Sequence, residues 1–269
     1  MRPIRHRRTT PFRFAMTTHT SKPSTRTSLS PGRFRLPDIP QREPDEVTQF
    51  NQLTRTGHAH HLIQHLGNPE TTLVGADRWI IAEPGTFREL ARYPDLLIAF
   101  NVFPDLYEAS NGYIISEQGK PPDFVLEVAS RSTADTDTGA KREDYAKLLI
   151  PEYWRFDETG EYHGARLAGD RLAGDMYMPM DIDELSQDVL QGYSRTLNLL
   201  LRWERGELAF YDPATERHIV TYTDLRIRAE IAEARAETAE ARLQAERAAR
   251  MQAEARVRQL EARLSQPDD

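Results

Sequence analysis

The segment Pro121-Pro122-Asp123-Phe124-Val125-Leu126-Glu127-Val128-Ala129-Ser130 constrains the fold more than any other part of the chain. Its core is apolar on both faces, a pattern that suits a strand buried in the middle of a covered sheet. Strand alternation places Asp123, Val125, Glu127 and Ala129 on one side. Glu127 is therefore a carboxylate in a strand whose neighbours call for burial, which costs several kcal/mol unless a cation or hydrogen bonds compensate it. A second run of the same kind, Leu96-Leu97-Ile98-Ala99-Phe100, opens with Pro94-Asp95. Asp95 at the mouth of one strand and Glu127 inside its neighbour make a hard oxygen site suited to magnesium or manganese.

The surrounding pattern is α/β. A helical pattern carrying Val47, Phe50 and Leu53 follows Asp45-Glu46, and a second short helix spans His60–Leu66 and stops at Gly67-Asn68-Pro69. Strands are predicted at Arg78–Ala82, Asp95–Val102, Phe124–Ala129 and Tyr153–Asp157. A helix is predicted over Thr138–Leu149, capped by Asp137 or Thr138. On it Lys141 and Tyr145 fall one turn apart on one face. A lysine there could orient a water or offset charge on a phosphorane-like transition state. Beyond Asp157, turn signals at Glu158–Glu161, Ala168-Gly169-Asp170, Arg205-Gly206 and Asp212-Pro213 indicate antiparallel strands. A mixed sheet flanked by helices follows.

Charge divides the chain into three. Residues 1–37 hold nine basic and no acidic side chains, and residues 224–269 hold nine basic and ten acidic. The middle keeps 17 of the 35 basic and 32 of the 42 acidic residues, a net of −15. Such a body repels a phosphate backbone unless a basic arm or a divalent metal offsets it. Residues 1–40, rich in Arg, Thr, Ser and Pro, are expected to be a disordered basic leader, with a transit peptide or a true start at Met16 as alternatives. Residues 41–223 form the globular domain. Residues 224–266 lack Gly and Pro and repeat Ala-Glu-Ala-Arg or Leu-Glu-Ala-Arg at multiples of seven. One register puts Leu225, Ala229, Ala232, Ala236, Ala239, Leu243, Ala253, Val257, Leu260 and Leu264 on a seam interrupted at Glu246 and Arg250, a coiled-coil signature that predicts a homodimer. The competing account is a single solvated helix held by Glu–Arg pairs.

Several function classes have no support. The chain has no cysteine, which excludes disulfides, thiolate metal sites and a Cys nucleophile. Neither a G-x-G-x-x-G nor a G-x-x-x-x-G-K-[ST] phosphate loop occurs, and there is no G-x-S-x-G elbow. His61 and His65 stand four apart, but Leu62 fills the position where a zinc hydrolase needs glutamate, so a polar helix face is the reading there. No apolar run approaches the length of a membrane span, and with no signal-peptide core the expectation is a cytoplasmic protein.

Taken together, Pro94-Asp95, Phe124–Ser130, Lys141 with Tyr145, and Ile150-Pro151-Glu152-Tyr153-Trp154-Arg155-Phe156-Asp157 resemble the Uma-type restriction endonucleases, a branch of the PD-(D/E)XK nuclease superfamily. The resemblance covers about residues 45–210. It implies a restriction-endonuclease-like fold and metal-dependent cleavage of DNA. It further implies Asp95, Glu127 and the backbone carbonyl of Val128 as ligands to Mg2+ or Mn2+. The superfamily's lysine two residues after the glutamate is replaced by Ala129, and the family moves that role to Lys141. Glu46 and Glu83 are candidates for a further acidic residue on an early helix.

Plainer readings stand beside these. Asp95 also fits a turn, Asp123 a strand start, and Glu127 a structural ion pair with Lys141 or Arg142. Tyr153 and Trp154 read as core aromatics. The alternative function is a catalytically inactive nuclease-like scaffold acting as an oligomeric binding module through its coiled coil.

Overall fold

The computed structural model describes residues 33–40, 58–130, 134–220 and 222–264. The predicted helix carrying Val47, Phe50 and Leu53 lies outside them, as do Glu46 and most of the basic leader.

The elements follow in chain order. Helix α1 (His58–Leu66) precedes β1 (Thr72–Gly75), β2 (Trp79–Ile81), β3 (Ala91–Arg92) and β4 (Leu96–Phe100). Then come α2 (Pro104–Ser110), β5 (Gly112–Ile114), α3 (Ile115–Gln118) and β6 (Phe124–Val128). Helices α4 (Ala134–Thr138) and α5 (Ala140–Lys147) lead to β7 (Glu152–Phe156), β8 (Leu167–Ala173) and β9 (Met176–Pro179). Strands β10 (Ile182–Ser186), β11 (Val189–Ser194), β12 (Leu199–Glu204), β13 (Glu207–Asp212) and β14 (Arg217–His218) end at the long helix α6 (Tyr222–Leu264).

The central sheet has the order β1-β4-β6-β7-β8-β9. It is mixed: β6 and β7 run parallel, joined through α4 and α5, and the other pairs are antiparallel. Strands β10 to β14 form an antiparallel meander, and β3-β2-β5 a small third sheet. Strand β6 is buried at all five positions and β4 at four of five, in keeping with their two-sided apolar sequences.

One face of the central sheet presents Leu96, Ile98, Phe124, Leu126, Trp154 and Phe156 to Leu199, Leu201 and Phe210 of the meander. The Trp154 ring fills a slot walled by two glycines. A Cβ on Gly169 would stand 3.0 Å from it, and one on Gly192 2.8 Å. The opposite face presents Leu97, Ala99, Val125 and Tyr153 to Tyr145 and Ala146 of α5. Glu127 shares the side of Val125, so it points toward the helical layer.

Two local expectations are corrected. Ala168-Gly169-Asp170 is not a turn but part of β8, and its glycine is needed for space against Trp154 and Met180 rather than for bending the chain. The helix predicted over Thr138–Leu149 is present as α5, but it starts only after Gly139 (φ −110°, ψ −94°), is preceded by the separate α4, and is followed by Leu149 in the left-handed region (φ 59°).

Every described side chain of α6 is exposed. Among the described residues no helix is long and apolar enough to cross a membrane.

Candidate active site

The site forms where β4 and β6 lie side by side. Leu96 pairs with Leu126 in the antiparallel register, and one further step sets Asp95 beside Glu127. Both are buried, at 3% and 1% exposure. Asp95 Oδ2 accepts a hydrogen bond from the backbone N–H of Val128 at 2.7 Å, which ties the mouth of one strand to the end of the other.

Helix α5 supplies the groups that make a buried carboxylate tolerable. Lys141 Nζ stands 2.9 Å from Glu127 Oε2, and the Tyr145 hydroxyl donates to Glu127 Oε1 at 2.5 Å. The two residues sit one turn apart and engage one oxygen each. Burial pushes the Glu127 carboxyl up to about 8; Lys141 and the Tyr145 hydrogen bond work against that rise, while Asp95 and Asp137 add to it. Burial acts to lower the Lys141 ammonium, but Glu127 and Asp137 outweigh it and hold the group above the ordinary lysine value. Tyr145 is likewise held well above its usual value, first by burial and then by the neighbouring Glu127.

Asp137, which the sequence marks only as a helix cap, belongs to the same cluster. Its carboxylate forms an ion pair with Lys141 at 2.7 Å and meets His163 Nε2 at 3.0 Å, and its carbonyl accepts from the Tyr153 hydroxyl at 2.8 Å. Tyr153 is thus a core aromatic whose polar tip fastens this helix end. Asp137 could have been suspected from its place four residues before Lys141. His163 had no signal, because only the path of the loop after β7 brings it here.

The remaining candidates lie elsewhere. Asp123 immediately precedes β6, where it accepts the N–H of Phe100 and pairs with Lys120. Glu83 is exposed in the turn before Thr86. Arg142 does not reach Glu127; its guanidinium, like that of Arg155, is held by Asp170. His61, on α1, is buried, and His60 contacts Gln64. Among the described residues no group of three or more His, Asp or Glu side chains is arranged to hold a metal ion.

A buried mixed sheet that brings two carboxylates and a lysine together at adjoining strand ends is a layout able to bind a hard cation and an anionic substrate. Residues 52–199 match the profile of the Uma2 family, described as putative restriction endonuclease, and the chain belongs to that family. Among solved structures it is similar to a putative nuclease belonging to DUF820 from Anabaena variabilis, at 12% identity over 69% of this chain and 82% of that one, with a TM-score of 0.32. Among curated proteins no match is found.

Proposed function

We propose that the protein is a divalent-metal-dependent endonuclease that hydrolyses phosphodiester bonds of DNA. The observation that carries this reading is the Lys141 ammonium at 2.9 Å from Glu127, with Asp95 one strand away. Ala129 leaves the strand without its lysine, and Lys141 brings an ammonium to Glu127 from the helix instead. An ammonium at Glu127 favours an active enzyme over the inactive scaffold.

The donor set fits Mg2+ or Mn2+. Asp95, Glu127 and the carbonyl of Val128 would hold the ion, a set of two carboxylates and one carbonyl that suits a cation retaining several waters. Such a cation supplies Lewis-acid stabilisation of the phosphoryl oxygens and a lowered pKa for water. The Val128 N–H fixes the Asp95 carboxylate, and Tyr145 fixes the Glu127 rotamer from the side opposite Lys141. Lys141, with three donor hydrogens, offsets charge on the phosphoryl group or orients the attacking water.

The same reading takes the protein as a homodimer through α6, which would pair two sites as double-strand cleavage needs. Leu225, Leu243 and Val257 of the proposed seam are exposed along α6, in keeping with a partner helix. The side chains of Leu260 and Leu264 lie outside the described residues.

The test is nicking of supercoiled plasmid by full-length protein with and without manganese. Cleavage that requires the metal and disappears in Glu127→Ala supports the reading. Absence of cleavage by wild-type protein, or its persistence in Glu127→Ala, overturns it.

A further inference from the structure

We propose that Asp137 is the positioning residue that fixes the Lys141 ammonium at the site, and that His163 locks Asp137 for this task. The proposal rests on the nuclease reading above and adds to it the device by which a lysine arriving from a helix replaces one missing from the strand.

A strand-borne lysine would be aimed by the backbone. Lys141 must instead be aimed from α5 along a flexible four-carbon stem. Glu127 alone would be a poor anchor, because a cation held by Glu127 would compete with Lys141 for its carboxylate. Asp137 offers the ammonium a second anchor. Its Oδ1 is 2.7 Å from Lys141 Nζ, its side chain is fully buried, and it lies four residues before Lys141. Asp137 is in turn held at its other oxygen and at its backbone. Oδ2 faces His163 Nε2 at 3.0 Å, and the carbonyl accepts from Tyr153.

The His163 side chain is also buried, and its placement is built in. The Asp157 carboxylate, at the end of β7, accepts the backbone N–H groups of Thr159, Gly160, Tyr162 and His163. This clamp wraps the loop so that the imidazole returns to Asp137. A carboxylate only accepts, so the shared proton resides on Nε2. Nδ1 has no hydrogen-bond partner among the described residues. The ring therefore contributes one donor at one position. Glutamine, whose amide nitrogen can occupy the place of Nε2, should replace it, and leucine should not.

The chain has only four lysines, so the Lys141 ammonium can be followed by its 1H–15N correlation in metal-free full-length protein, assigned by its disappearance in Lys141→Arg. Wild-type protein should show an ammonium signal protected from exchange with water. Asp137→Asn and His163→Leu should lose that protection, and His163→Gln should keep it. In manganese-dependent nicking, Asp137→Asn should lower kcat by about 100-fold with KM within about threefold. His163→Gln should recover most of the loss caused by His163→Leu. A protected ammonium together with wild-type kcat in Asp137→Asn overturns the proposal, as does equal loss in the two His163 variants. If wild-type protein does not nick but the ammonium responds as stated, the nuclease reading fails while the positioning of Lys141 by Asp137 stands.

Discussion

Lys141 and Glu127 meet across two elements, the helix α5 and the strand β6, with Nζ and Oε2 2.9 Å apart. Position 129, where a strand-borne lysine would sit, holds an alanine with 1% exposure. The ion pair therefore depends on how α5 is docked. Breaking it leaves Glu127 and Asp137 without their shared cation. Lys141→Met should destabilise the metal-free protein by about 3–5 kcal/mol at pH 9, the range for a broken buried pair. At pH 6 the deficit should be smaller, because Glu127 then takes a proton instead of remaining charged. Denaturant melts at the two pH values check this, and equal deficits would contradict it.

The direction of the Glu127 shift sets a second expectation. Its folded value, about 8, lies above the ordinary 4.5, so between these values the folded state keeps a proton that the unfolded state has released. The unfolded state then binds fewer protons, and the contribution to stability is lost as pH rises from about 4.5 to about 8. Glu127→Gln should flatten the stability profile over that window. Binding of a divalent cation must displace the same proton, so manganese affinity should rise by up to about tenfold per pH unit until about 8. Calorimetry in buffers of different ionisation enthalpy measures the released proton directly. A pH-independent affinity would show that Glu127 is not a ligand.

The sequence was most legible where apolar runs are long. The predicted strands around Leu96–Phe100, Phe124–Val128 and Glu152–Phe156 occur within a residue or two of their expected bounds, and the meander after Asp157 is present. The adjacency of Asp95 and Glu127 follows from two buried strands with carboxylates at matching ends. The rest of the site depends on tertiary placement. Asp137 looks like a cap because helix starts favour Asp, and nothing local signals that its carboxylate turns inward. His163 stands in a loop whose course is set by the Asp157 clamp. Gly169 resembled a turn because glycine serves both bending and close packing, and only the Trp154 ring distinguishes the two. Short elements such as α2, α3 and β5 carry too little periodicity to be read.

The tail gives a third expectation. Helix α6 has 43 residues and is ~65 Å long, and its described side chains are all exposed. An Ala-rich seam allows close approach of a second helix but contributes little apolar area per heptad, so a modest-affinity parallel dimer is expected. Sedimentation of the full chain against one ending at Thr223 should show a concentration-dependent dimer only for the full chain. Monomers in both at tens of micromolar would identify α6 as a solvated single helix.

The proposed activity depends on one divalent cation shared by Asp95 and Glu127. Anomalous diffraction from a crystal soaked in manganese locates such an ion directly. The predicted result is a peak within coordination distance of both carboxylates and the Val128 carbonyl, absent in Glu127→Ala. A peak elsewhere, or none at a manganese concentration that supports plasmid nicking, would contradict it.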